Sequence, residues 1–110
     1  MLRKSGGLDL KENAKTTAKR VAKGGETDAT KAGRVAHKNY NPGPNYQKEV
    51  TLPSGKRADA VDMRNRVVKE LKPNNPNAIH QGKRQVEQYR RELQREYGGD
   101  WTGVVDTYER

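Results

Sequence analysis

"RADAVDMRNRVVKELKP", residues 57–73, is the segment that decides the fold. Its valines recur at intervals typical of β-strands, and Arg64-Asn65 lies between two such runs, which predicts a β-hairpin. A two-residue loop at Arg64-Asn65, or a four-residue loop with one more residue on either side, places Asp59 directly opposite Glu70. Side chains that are directly opposite lie about 5 Å apart on one face of a sheet. The hairpin therefore predicts two carboxylates side by side.

The composition is basic and poor in apolar residues. The chain has 110 residues, of which 30% are hydrophobic, and 23 Lys+Arg against 14 Asp+Glu give a net charge of +9. This length and composition predict one small domain with a thin core. Because the basic excess is spread along the chain, it favours a polyanionic partner, most often nucleic acid, with solubility alone as the alternative.

The sequence also lacks the features of two other kinds of protein. It contains no cysteine, which excludes a disulfide framework and a thiolate metal site. No apolar run approaches the length of about 20 residues that a membrane span needs, so we expect no membrane insertion by this domain.

The first residues differ in composition from the rest. Residues 1–26 are rich in Lys and Gly and have few large apolar side chains. We expect a basic linker or a loosely packed N-terminal segment there, with a loose helix from Leu10 to Ala22. It leads into a domain over residues 27–110, and such a beginning is typical of a piece of a longer chain.

The domain is expected to contain a helix, three strands, a second helix and a last strand. The first helix runs from Thr27 to about Tyr40 and is ended by "NPGP". The segment "YQKEVTLPSGKRADAVD" predicts two strands joined at "LPSG", and "VVKELKP" follows as the third strand. The longest helix runs from Asn77 to about Tyr97, and "WTGVVDTY" is the last strand. The apolar stripe expected on the long helix consists of Ile79, Val86, Tyr89, Leu93 and Tyr97.

The hairpin also predicts a chemical site. Lys72 lies two residues beyond Glu70 and projects from the same face. Two carboxylates about 5 Å apart repel unless a cation lies between them, and a hard divalent cation such as Mg²⁺ or Mn²⁺ suits oxygen ligands of this kind. Such an ion could bind a scissile phosphate, with Lys72 orienting water or neutralising charge. The alternative is a solvated strand face with an ordinary cross-strand pair. In a regular strand, Asp62 points away from this face. A bulge between residues 59 and 62 would turn Asp62 inward, so that it would take the place of Asp59.

The wider motif resembles a known nuclease superfamily. Asp59, then Glu70-x-Lys72, then Gln85-x-x-x-Tyr89 resembles the PD-(D/E)xK superfamily, and the last element resembles that of its RecB-like exonuclease branch. Ala stands at position 58, where the superfamily name has Pro. The phrases "AGRVAHKNY", "LPSGKRADAVD", "ELKPNNPNAI" and "WTGVVDTY" resemble the restriction-endonuclease-fold toxin domains at the C-termini of bacterial polymorphic toxins, over roughly residues 28–108.

The resemblance implies a fold and a set of site residues. The fold is α/β (α+β), with a restriction-endonuclease-like core in the order αβββαβ and a mixed sheet flanked by helices. The implied catalytic residues are Asp59, Glu70, Lys72, Gln85 and Tyr89. The implied metal site consists of Asp59, Glu70 and Leu71, with Mg²⁺ or Mn²⁺ as the ion. Contacts with nucleic acid are expected from Arg34, His37, Lys56 and Arg57.

The resemblance also implies a function. It is metal-dependent hydrolysis of phosphodiesters by a DNase effector of interbacterial competition, secreted or delivered as part of a larger toxin or by a secretion system and acting in the target-cell cytoplasm. A cognate immunity protein is the implied partner. Few aromatic residues are available to stack single-stranded bases, which favours duplex DNA. The alternatives are an RNase (tRNase) toxin of the same fold and a non-catalytic basic module that binds nucleic acid.

Overall fold

The computed structural model describes residues 27–109, so the linker and loose helix expected within residues 1–26 lie outside the described residues. The elements are α1 (Asp28–Asn39), β1 (Gln47–Thr51), β2 (Arg57–Asp62), β3 (Val67–Pro73), α2 (Pro76–Tyr97) and β4 (Thr102–Tyr108). This order confirms the predicted αβββαβ arrangement. The sheet and the candidate site lie within residues 33–110, one of the two units into which the chain divides.

The four strands form one mixed sheet in the order β1-β2-β3-β4. β1 pairs antiparallel with β2, and β2 pairs antiparallel with β3, whereas β3 and β4 are parallel. A parallel pair needs a long connection between its strands, and α2 supplies it. The mixed sheet with its two helices confirms the expected α+β class and restriction-endonuclease-like fold.

The β2–β3 hairpin has the predicted register. Asp62 pairs with Val67 and Val61 with Val68, so the loop is the four-residue alternative. The Asp62 carboxylate, only 2% exposed, accepts hydrogen bonds of 3.0 Å from the backbone N–H groups of Arg64 and Asn65. The Asn65 side-chain amide donates a third, of 2.8 Å. Asp62 therefore belongs to the hairpin turn, and its regular pairing with Val67 contains no bulge that would put it in the place of Asp59.

The core lies between α2 and the hairpin. Its members are Leu52, Ala58, Val61, Val68, Tyr89, Leu93 and Trp101. Asn75 caps the start of α2, with its side chain accepting from the Ala78 N–H at 2.9 Å, and Gly98, with φ 74°, caps its end. The stripe prediction is wrong at its last position, because Tyr97 is 58% exposed. Tyr97 is the last helical residue, and Trp101, just beyond the glycines, fills the end of the core instead.

Candidate active site

The two strands of the hairpin separate before they end. The last backbone pair is Ala60 with Lys69, although β2 begins at Arg57 and β3 continues to Pro73. We call residues 60–69 the closed end of the hairpin, and residues 57–59 together with 70–73 its open end.

Carboxylates replace the backbone ladder at the open end. The Asp59 N–H donates to Glu70 Oε1 at 3.0 Å, and the Leu71 N–H donates to Asp59 Oδ2 at 2.7 Å. Each carboxylate is thus anchored to the backbone of the opposite strand. The separation of the strands brings Asp59 and Glu70 together, as the register predicts.

The open end concentrates charge in a poorly solvated place. The Glu70 side chain is 7% exposed, and Lys72 Nζ lies 3.9 Å from Glu70 Oε2. Burial, and then the neighbouring Asp59 charge, raise the pKa of Glu70 to about 7, although the Asp59 N–H and Lys72 act in the opposite direction. Near neutral pH the pair therefore binds a proton in part. A cation held between the two carboxylates would remove the same repulsion.

His37 reaches the first carboxylate from α1. Its Nε2 lies 3.3 Å from Asp59 Oδ2, and its Nδ1 lies 2.8 Å from the Gly33 carbonyl oxygen. Both partners are acceptors, so only the doubly protonated ring can donate to both. The Tyr108 ring packs edge-on against the imidazole, with ring centroids 6.3 Å apart. His37, expected as a contact for nucleic acid, thus lies beside Asp59.

One face of α2 covers the open end. Tyr89 is buried, and its pKa is raised to about 12 by burial and then by the charges of Glu70 and Asp59, which places the phenol near the carboxylates. Gln85 lies one helical turn earlier on the same face. Its Oε1 is buried and has no hydrogen-bond partner among residues 27–109. A buried acceptor without a donor costs about 1–3 kcal/mol, so this oxygen is available for a group that enters the site.

Gly82, one turn before Gln85, makes room for the lysine. A Cβ at position 82 would lie 2.9 Å from Lys72 Cγ and 3.2 Å from the Val105 methyl groups. Only glycine lets the helix backbone approach the Lys72 side chain this closely. The sequence signal for Gly82 is a single glycine inside an otherwise regular helical pattern.

The donor set fits a small hard cation. Within the described part of the chain, no group of three or more His, Cys, Asp or Glu side chains is arranged to hold a metal ion. Two carboxylates match Mg²⁺, which usually takes one or two carboxylates and keeps several waters. The raised pKa of Glu70 and the unpartnered Gln85 oxygen both fit such an ion with its waters. Leu71, the third expected ligand, is buried and uses its N–H on Asp59.

A cavity of about 250 Å³ lies beside the open end. Its lining residues are His37, Tyr40, Lys48, Glu49, Arg57 and Asp59. Two of the four expected nucleic-acid contacts, His37 and Arg57, are therefore at the site, whereas Arg34 and Lys56 are exposed outside this lining. Sequence reasoning missed Tyr40, Lys48 and Glu49. The β1–β2 register could have indicated Glu49, because it falls opposite Asp59 between the pairs Lys48–Ala60 and Val50–Ala58.

A separated hairpin with two carboxylates and a lysine, covered by a helix that leads to a parallel strand, defines the class of restriction-endonuclease-fold nucleases. The model of the family described as restriction endonuclease fold toxin 9 matches residues 25–108, and the chain belongs to this family. Membership indicates a nuclease toxin. No curated protein and no solved structure was found to match the chain. Among the described residues, no helix is both long and apolar enough to span a bilayer.

Proposed function

We propose that the chain is a Mg²⁺-dependent nuclease that hydrolyses DNA, the toxin domain of a larger polypeptide used in interbacterial competition. The observation that carries this proposal is the open end itself, where Asp59 and the buried Glu70 each accept from the opposite strand and Lys72 Nζ lies 3.9 Å from Glu70 Oε2. A non-catalytic binding module has no need to bury like charges together, because exposed basic residues are enough for binding phosphates.

The side chains divide the reaction between them. Asp59 and Glu70 would hold the ion, with Leu71 beside them. When bound, Mg²⁺ would neutralise the scissile phosphate and acidify a water. Lys72 would donate to a phosphate oxygen on which negative charge increases. Gln85 Oε1, which is buried without a donor, would accept from the attacking water, and the buried Tyr89 would limit solvent around the carboxylates.

The toxin family supports a wider assignment. We propose that residues 27–110 form the nuclease domain, that residues 1–26 connect it to the delivering polypeptide, and that the domain acts in the cytoplasm of the target cell. The producing cell would need an immunity protein for this domain. The net charge of +9 supports a polyanionic substrate.

The test is cleavage of plasmid DNA, single-stranded DNA and tRNA by the purified chain, in Mg²⁺ and in excess chelator. We expect DNA to be cut in Mg²⁺ only, and Glu70→Gln to abolish cutting. The control is Glu96→Gln, an exposed glutamate on α2, which should cut like wild type. Full activity in chelator would exclude the metal mechanism, and cleavage of tRNA alone would change the substrate to RNA. Binding without cleavage of any polymer would favour the binding module.

A further inference from the structure

The cavity beside Asp59 is built from side chains that are already held in place. The Tyr40 hydroxyl donates to Asp106 Oδ2 at 2.6 Å, which fixes the ring. Lys48 Nζ donates to the carbonyl oxygens of His37 and Lys38, at 3.1 and 3.2 Å. A cavity whose lining is fixed in advance loses little conformational entropy when it takes up a ligand.

Some of the few aromatic residues of this chain lie at or near the cavity. Tyr40 and His37 line it, and Tyr108 packs against the His37 ring. Tyr46 is connected to this group through Lys69, whose Nζ lies 4.7 Å from the Tyr46 ring centroid and 3.5 Å from the carboxylate that holds Tyr40. The chain has only five tyrosines and one tryptophan, so this is a local concentration of stacking surface.

The charges of the lining fit a base better than a phosphate. The carboxylates of Glu49 and Asp59 line the cavity and disfavour a phosphate there. Arg57 and Lys48 offer hydrogen-bond donors to a neutral ligand. Glu49 has φ 55° in the middle of β1, and its Oε1 accepts from Arg57 Nη1 at 3.1 Å. The pair thus presents an acceptor and donors together, as the edge of a nucleobase requires.

The size of the cavity limits the ligand to one base. Its volume of about 250 Å³ is below the range of roughly 300–1,000 Å³ for pockets that hold drug-sized molecules. A base pair in an intact duplex could not enter, because its partner strand would have to enter with it. A single base extruded from the stack could, at a cost that is smallest for single-stranded nucleic acid.

We propose that this cavity binds one unpaired nucleobase of the substrate strand, next to the phosphate that is cut, so that the substrate is single-stranded or locally unpaired nucleic acid. The inference rests on the proposed nuclease function. It reverses the expectation from the sequence that few aromatic residues favour duplex DNA, because those few residues are concentrated beside the catalytic carboxylates.

The experiment is cleavage, in Mg²⁺, of single-stranded oligonucleotides that each lack one base. Stacking on an aromatic side chain is worth about 1–3 kcal/mol for each base, so we expect one abasic position beside the cut to lower kcat/KM about 5- to 150-fold. The other abasic positions should have little effect. The same strand annealed into a perfect duplex should be cut more slowly, and a mismatch at the sensitive position should restore part of the rate.

Variants connect the sensitive position to the cavity. Tyr40→Leu removes the ring and should make cleavage insensitive to that abasic position, whereas Tyr40→Phe keeps the ring and the sensitivity. Tyr97→Leu, at an exposed tyrosine on α2, is the control and should behave like wild type.

Three outcomes would overturn the inference. If wild type cuts every abasic oligonucleotide equally, no base is bound beside the cut, whether or not the Tyr40 variants fold. A perfect duplex cut as fast as the single strand would have the same meaning. In both cases the nuclease assignment would stand, whereas failure to cut any polymer would overturn that assignment and this inference together.

Discussion

Both ends of the β2–β3 hairpin bury a carboxylate, but the surroundings give the two carboxylates opposite properties. At the closed end, hydrogen bonds from Asn65 and Arg64 outweigh burial and lower the pKa of Asp62. At the open end, burial and the Asp59 charge outweigh the donors and raise the pKa of Glu70. The difference shows that a carboxylate serves the fold where donors converge on it. It is available for a cation or a proton where the backbone ladder stops and the donors are too few.

The largest expected effect separates the two aspartates by activity. Asp59→Asn removes an anionic ligand at the open end, so we expect kcat to fall about 10²-fold or more, which corresponds to about 2.7 kcal/mol. Asp62→Asn weakens the hairpin turn instead, so it should lower the melting temperature and keep most of kcat. The measurements are cleavage in saturating Mg²⁺, below the melting temperature of both variants, and thermal unfolding.

The two variants Asp59→Asn and Asp62→Asn together test the register of the hairpin. An inactive Asp62→Asn beside an active Asp59→Asn would show that a bulge exchanges the two residues. Two active variants would show that the open end is only a charged strand pair.

The second prediction uses pH to measure how burial and the Asp59 charge disfavour the ionised form of Glu70 in metal-free protein. The pKa of Glu70 is about 7 in the folded chain, against 4.5 as its ordinary value. The folded state therefore binds the proton more tightly, and the stability from this group is fully present below about pH 4.5 and lost as pH rises through about 7. At about 1.4 kcal/mol for each pKa unit, the loss is about 3–4 kcal/mol.

Glu70→Gln isolates this contribution, because glutamine stays neutral and can still accept from the Asp59 N–H. We expect the variant and wild type to have similar melting temperatures near pH 4.5, and the variant to be more stable by several degrees at pH 8 in chelator. Mg²⁺ should stabilise wild type more than the variant. The difference between Glu96→Gln and wild type should not change with pH. A flat difference for Glu70→Gln as well would mean that neither burial nor Asp59 makes Glu70 harder to ionise in the folded chain.

The sequence predicted the closed end better than the open end, for a physical reason. Side chains alternate along a strand and a turn sets the register, so pairing Asp59 with Glu70 needed only local information. The separation of the strands could not be predicted, because it depends on side chains that replace backbone partners. The cavity was missed because Tyr40 is held by Asp106, which lies 66 residues away in the sequence. Tyr97 was misplaced because helical periodicity does not show where the sheet beneath a helix ends.

The third prediction concerns how α2 positions the open end. Gly82→Ala should displace the flexible Lys72 side chain and lower kcat about tenfold. The better helix propensity of alanine, worth about 0.5–1 kcal/mol, partly offsets the strain. Gly103→Ala is the matched control, because its Cβ would meet Val86 Cβ at the same 2.9 Å but would not touch Lys72. That variant should lose stability and keep kcat.

A double-mutant cycle tests whether Gly82 acts through the lysine. In a Lys72→Met background, Gly82→Ala should lower kcat little further, because the ammonium group that the alanine would displace has already been removed. Equal additional losses in both backgrounds would mean that Gly82 serves packing alone.

The smallest expected effect concerns the unpartnered side-chain oxygen of Gln85 on α2. Gln85→Met keeps the length of the side chain and removes the buried Oε1, which has no donor among residues 27–109. Removing an unsatisfied buried acceptor should raise the metal-free stability by up to about 1 kcal/mol, whereas the control Gln88→Met, at an exposed position, should change it little. Activity in Mg²⁺ should nevertheless fall, by less than for Asp59→Asn, because a water in the site loses an acceptor. A variant that is less stable than wild type would show that the oxygen already has a donor in the folded chain, and that it is not kept free for the reaction.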